Sequence, residues 1–145
     1  MLVQQILSSK AVEGVLTLHS DAHVKEAAAI MSDRRIGTIV ISDDDGGTPM
    51  GILSERDIVR EIGRQGPECL SKSVKDIMTR DPVTCTPADS SDAVLSRMTE
   101  GRFRHMPVIE GDRMIGLISI GDVVKARLAE LSMEKNALEG MIMGH

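Results

Sequence analysis

Hydrophobic positions along this chain fall into short runs that change period and then start again. Val24, Ala27, Ala28 and Met31 recur at the i, i+3, i+4, i+7 spacing of one buried helix face. A brief extended run, residues 15–18, precedes them, and Ser20 or Asp21 stands where a helix cap belongs. Two strand-like runs follow, residues 36–41 and 50–53, separated by the polar turn 43–49. A second helix is predicted over residues 56–62. The same succession then returns. An extended run at 83–86 leads to a cap at Asp89 or Ser90 and a helix face of Val94, Leu95 and Met98. Strands at 106–109 and 114–118 flank the turn 110–113, and a helix is expected from Asp122 onward.

The residues repeat as well as the periods. Gly51-Ile52-Leu53-Ser54-Glu55-Arg56-Asp57-Ile58-Val59 reappears as Gly116-Leu117-Ile118-Ser119-Ile120-Gly121-Asp122-Val123-Val124, at an offset of 65. Upstream, Leu16-Thr17-Leu18 matches Val83-Thr84-Cys85 at an offset of 67. The difference of two falls in the polar turn, where a change of length costs little. An arm precedes each unit: Val3-Gln4-Gln5-Ile6-Leu7 resembles Val74-Lys75-Asp76-Ile77-Met78. The expected fold is therefore mixed α/β (α+β), a tandem of two β-α-β-β-α repeats related by a pseudo-two-fold axis, with a C-terminal helical extension. Residues 1–66 form the first repeat with its arm, 67–131 the second with its linker, and 132–145 a helical tail.

Composition narrows the function. With one Phe, no Tyr and no Trp, the core must be built from aliphatic residues and the ten Met. Such a chain lacks the aromatic platforms of single-strand binders, and a net charge of −5 is wrong for a phosphate backbone. No nucleic-acid partner is expected. No apolar run reaches the length of a membrane span, and residues 1–10 lack the layout of a signal peptide, so a cytoplasmic location is expected. Cys69 and Cys85 belong to no CxxC pattern and read as buried or half-buried thiols of a reducing compartment.

Chemistry concentrates where each second strand gives way to a helix. Ser54-x-x-Asp57 and Ser119-x-x-Asp122 fit the capping box, in which the serine oxygen accepts a backbone N–H and the acid answers the helix dipole. A helix N-terminus at the carboxyl end of a strand is also where phosphates and riboses bind. An aspartate there can accept both hydroxyls of a ribose, and the two roles are compatible. A second cluster, Arg102-Phe103-Arg104-His105-Met106-Pro107, answers to Arg35-Ile36-Gly37-Thr38-Ile39-Val40. It reads either as a solvated turn or as a local positive field for a phosphate. Gly37 stands where the second unit has Arg104, which makes the two sites unequal, although Arg34, Arg35 and Arg56 could compensate. Lys10 is a further candidate for a phosphate contact.

The repeated G-h-h-[ST]-x-x-D, the Arg-His-Met-Pro-Val segment and the paired V-x-x-I-[LM] arms together resemble a cystathionine-β-synthase (CBS) domain pair, or Bateman module, over residues 3–131. The small stand-alone bacterial members are the most similar group. The resemblance implies clefts between the repeats that bind adenosine-containing ligands: AMP, ADP, ATP, NAD(H) or S-adenosylmethionine. It assigns ribose binding to Asp57 and Asp122, with Ser54 and Ser119 beside them. It adds Thr17, His19, Thr84 and Thr86 from the first strands, and Ile36, Gly37, Thr38, Phe103, Arg104, His105 and Met106 from the middle ones. Arg56 and Gly121, inside the Ser-x-x-Asp motifs, complete the set. Gly37 and Gly121 replace polar residues found in some relatives.

No catalytic motif is present, and His19, His23, His105 and His145 have no metal-ligand spacing, so neither an enzyme nor a metal is expected. No cofactor is required beyond the regulatory nucleotide. In the tail, Val124, Leu128, Leu131, Leu138 and Ile142 follow a 4-3 seam that Lys135 interrupts. This helix either packs on its own module or docks on a second subunit. The expected function is a nucleotide-sensing regulatory module, a homodimer acting on an unknown regulated protein. The alternative is a structural dimer scaffold whose clefts stay empty.

Overall fold

The computed structural model describes residues 1–10 and 14–143; His145 lies outside the described residues. The chain divides into two compact units, one built on each repeat. The first-repeat unit gathers Gly14–Val83 and Gly111–Ile115. The second-repeat unit gathers the described part of residues 1–13, Thr84–Glu110 and residues 116–143.

Each element answers to a run in the sequence. Strand β1 (Thr17–Leu18) leads to helix α2 (Val24–Arg34), which follows the short N-terminal helix α1 (Val3–Ser8). Strands β2 (Thr38–Ile41) and β3 (Gly51–Ser54) come next, then helix α3 (Glu55–Gln65). After two short 3-10 turns, Pro67–Ser71 and Val74–Asp76, strand β4 (Thr79–Arg80) completes a four-stranded sheet of order β1-β2-β3-β4. β1 runs parallel to β2, with Thr17 opposite Val40; β3 is antiparallel to both neighbours, with Thr38 opposite Ser54. Helix α2 buries Val24, Ala27 and Met31 on this sheet, against Ile39, Ile41 and Leu53.

The start of α2 corrects the sequence reading. Its cap is His23, which makes no side-chain cap bond. Ser20 is instead held by Asp43, whose carboxylate accepts from the Ser20 N–H and hydroxyl, each at 2.7 Å. Residues 19–22 are spent on a turn, in which the Ala22 N–H donates to the His19 carbonyl.

The second-repeat unit uses helix α4 (Ser91–Gly101), strands β5 (His105–Glu110) and β6 (Arg113–Ser119), and helix α5 (Ile120–Ile142). Ser90 caps α4 by accepting from the Ala93 N–H at 3.1 Å, and Val94 and Met98 are buried. The extended run at 83–86 shrinks to one parallel bridge between Cys85 and Val108. Pro82 and Pro87 bracket it and offer no ladder donors. Both thiols are free and buried, and burial pushes the Cys85 thiol up to about 11.

Chain order and packing order part company at the two arms. The first arm, in α1, places Val3 and Ile6 in the core of the second-repeat unit, beside Ile118 and Val123. The second arm places Val74, Ile77 and Met78 in the core of the first-repeat unit. The glycines at matching positions of β3 and β6 explain the fit. A Cβ on Gly51 would stand 2.9 Å from the Thr79 carbonyl oxygen and run into Met78; one on Gly116 would stand 2.7 Å from Leu7 Cδ2. Leu7 and Met78 are the equivalent last residues of the two arms. Each arm therefore lies across the glycine of the repeat it does not precede in sequence.

Candidate functional site

Both Ser-x-x-Asp motifs form complete capping boxes. The Ser119 N–H donates to Asp122 Oδ2 at 2.9 Å, and the Asp122 N–H donates to Ser119 Oγ at 3.1 Å. In the first-repeat unit the Ser54 N–H donates to Asp57 Oδ2 at 2.9 Å and the Asp57 N–H to Ser54 Oγ at 3.2 Å. The helix dipole and two backbone donors thus orient each carboxylate at a helix mouth.

The middle strand is tied to the same corner in both units. The Ile120 N–H donates to the Arg104 carbonyl at 2.8 Å, and the Glu55 N–H donates to the Gly37 carbonyl at 2.9 Å. The structure therefore brings Arg104 and His105 to Ser119 and Asp122, and Gly37 and Thr38 to Ser54 and Asp57. Side chains then make the two corners different. Asp122 keeps a quarter of its side chain exposed, and its Oδ2 accepts from Lys10 Nζ at 2.8 Å. The same ammonium donates to the Leu117 carbonyl at 2.8 Å. Burial alone would raise the Asp122 carboxyl, but Lys10 and the Ser119 N–H outweigh it and hold the group below the usual carboxylate range. Burial also lowers half-buried His105 below 6.5, with Lys10 adding to the effect and Asp122 opposing it. Lys10 and His105 lie close to this aspartate, and Arg104 precedes His105 at the start of β5.

In the first-repeat corner Asp57 is nearly closed off, its side chain 9% exposed, and its Oδ1 accepts from Arg60 Nη2 at 2.7 Å. The Glu55 carboxyl lies over Gly37, 3.3 Å from where a Cβ would stand. The counterpart of Glu55 is Ile120. An acid thus covers the place where the other corner has a basic residue.

The remaining candidates spread out. Met106 is fully buried core, and Ile36 and Phe103 pack against the two cores. Arg56 and Gly121 are exposed on the first turns of their helices. Thr17 lies two residues along the β2 register from Thr38, and its methyl faces the turn at Gly46. His19 lies beyond the far end of that register, with Nε2 3.4 Å from Asp43, so it does not join Asp57. Thr84 and Thr86 are exposed, and the Thr86 N–H is taken by Asp89 at 2.8 Å. Among the described residues, no group of three or more His, Cys, Asp and Glu could hold a metal, and no helix is long and apolar enough to cross a membrane.

Two determinants escaped the sequence reading. Arg60, one helical turn after Asp57, was discoverable from the i, i+3 spacing alone. Glu55 over Gly37 was not, because that contact depends on how β2 meets α3.

Comparison with known proteins follows the same lines. The family model of the CBS domain matches residues 3–64 and 74–129. The chain is 37% identical over 128 residues, 86% of its length, to the CBS domain-containing protein CBSX3, mitochondrial, of Arabidopsis thaliana, and it spans 62% of that relative. The crystal structure of a CBS-domain containing protein from Agrobacterium tumefaciens superposes with a TM-score of 0.82 at 42% identity, covering 88% of this chain and 99% of that one. The CBS domain pair of protein MJ0100, in complex with 5′-methylthioadenosine and S-adenosyl-L-methionine, gives a TM-score of 0.76 at 25% identity, covering 90% and 98%.

Proposed function

Because this chain belongs to the CBS domain family, we propose that it is a non-catalytic regulatory module that senses an adenosine-containing nucleotide at the Ser119–Asp122 corner. The carrying observation is Asp122: held at a helix mouth, a quarter exposed, bonded to Lys10 and close to His105, with Arg104 preceding His105 at the start of β5. The diol of a ribose docks on the Asp122 carboxylate, with Ser119 beside it. Docking there competes with Lys10 for Oδ2 and turns the ammonium toward the ligand's phosphate. The positive charges of Lys10 and Arg104 favour the phosphate-bearing ligands AMP, ADP, ATP and NAD(H) over S-adenosylmethionine, whose sulfonium is cationic. S-Adenosylmethionine is nonetheless a ligand of one similar domain pair.

Regulation follows from the exchange at Lys10. In the resting chain, Lys10 ties the segment after α1 to Asp122 and to the Leu117 carbonyl. A ligand that takes over Asp122 shifts the arm's equilibrium by its differential affinity for the tied and released forms. The working unit is a homodimer in the cytoplasm, and a separate regulated protein reads the shift.

The test is a thermal-shift and calorimetric screen of AMP, ADP, ATP, NAD(H) and S-adenosylmethionine. A ligand present at 100 times its Kd stabilises the fold by about 2.7 kcal/mol. A phosphate-bearing nucleotide is expected to give the largest shift, and loss of that shift in Asp122→Ala ties it to this corner. No shift with any of the five favours the second reading, a ligand-free dimer scaffold. Asp57, closed by its Arg60 pair, is the observation on that reading's side.

A further inference from the structure

The family match ends at residue 129, yet α5 continues to Ile142. From Leu128 onward the helix keeps an apolar stripe that none of the described residues covers: Leu128 is 63% exposed, Leu138 59% and Ile142 84%. With Val124 and Leu131 these residues keep the 4-3 spacing of a two-stranded seam, and Lys135 holds the one polar position in it.

Charge selects the occupant. In a parallel pair of these helices, Glu134 would face Glu139 of the second copy twice over, and Lys135 would meet Lys135 in the seam. In an antiparallel pair with its two-fold at the level of Met133, Lys125 faces Glu139 of the second copy on both sides. Only Glu134 then meets its own copy. The same register stacks Leu128 on Leu138 and Val124 on Ile142, and sets Lys135 against Leu131, where its ammonium can reach water. A membrane surface fits less well. The extension carries Glu130, Glu134 and Glu139 against a single Lys135, not the basic polar face of an interfacial helix. We propose that the α5 extension is a dimerisation element, pairing antiparallel with α5 of a second copy. This rests on the homodimer part of the reading above and not on the ligand.

Light scattering of the full chain across concentration, alone and as Leu138→Glu, tests the surface. Leu138 is exposed, so the variant folds, and its dimer dissociation constant is expected to rise about 100-fold because two symmetry-related leucines are lost. Orientation is tested by mixing Leu128→Cys and Leu138→Cys chains under oxidation, since both native thiols are buried. Disulfides between unlike chains support the antiparallel pair; disulfides only between like chains overturn it. A wild-type dimer unchanged by Leu138→Glu overturns the proposal and leaves the homodimer reading standing. A wild-type monomer at every concentration overturns both. A monomer that sediments with anionic vesicles through α5 assigns the stripe to a membrane and likewise overturns the proposal.

Discussion

Ser54–Asp57 and Ser119–Asp122 make the same pair of reciprocal hydrogen bonds, at the same place after the same kind of strand. Around that shared frame the neighbours diverge. Asp57 is answered from its own helix by Arg60, one turn on, and is shut away; Asp122 is answered from far along the chain by Lys10 and stays open. A capping box therefore does not decide whether a carboxylate can take a ligand. The two corners differ in their third partner. Arg60 pairs with Asp57 from within the same helix, whereas on the proposed reading the Lys10 bond to Asp122 is the one an incoming diol exchanges.

The sharpest way to break this comparison is to remove each aspartate in turn. Asp122→Ala is expected to weaken nucleotide binding by about 1.5–3 kcal/mol, the range for a hydrogen bond to a charged group. Asp57→Ala should leave the affinity nearly unchanged while losing cap stability. Calorimetric titration of both variants decides it, and equal losses would mean that the corners are not distinct.

The glycines give the next largest contrast. Gly51→Ala drives a methyl against a backbone carbonyl and Met78, and overpacking of that kind costs about 1–3 kcal/mol. Gly116→Ala meets only the Leu7 side chain, which can turn aside, so its loss in urea denaturation should be under about 1 kcal/mol. Matching losses would show that the two arms are equally rigid.

Removing a capping hydroxyl, in Ser54→Ala or Ser119→Ala, should lower stability by about 1 kcal/mol in either unit. Only Ser119→Ala should also reduce the nucleotide-dependent thermal shift.

The smallest effect is in pH. His105 in the folded chain titrates below its ordinary 6.5 because it is partly buried, so the unfolded chain takes up its proton first as pH falls. Stability should decline as pH drops through about 6.5 toward the folded value, and His105→Gln should flatten that decline. The first repeat has Thr38 at the equivalent position, which carries no charge to titrate. A phosphate beside His105 would favour the imidazolium, so nucleotide binding should tighten over the same interval and take up protons.

Much of this could be read from the chain because the repeat supplied two independent views of every element. The helix face Val24, Ala27, Met31, the β2–β3 pair and the cap at Ser90 all stand where periodicity put them. Family, tandem organisation and the helical extension were legible in the same way. The misses share a physical origin. His23 in place of Ser20 or Asp21 as the cap depends on Asp43, twenty-three residues away, having claimed Ser20. The extended run at Cys85 is cut to a single bridge because Pro82 and Pro87 flank it and supply no ladder donors. The hold of Lys10 on Asp122 and the Leu117 carbonyl depends on where the first arm lies, which its charge alone does not reveal.

That crossing of the arms sets the order in which the molecule can be made. Residues 3–7 find their seat on Gly116 only after the second repeat has been synthesised. The first repeat cannot seat anything on Gly51 until Met78 has emerged. A cut between the repeats therefore strips both halves of a core segment at once, so gene fragments encoding a single repeat should yield sticky, partly folded products. Two such fragments expressed together should restore each other. Assembly waits on contacts between distant parts of the chain, which slows folding relative to a helical protein of equal size.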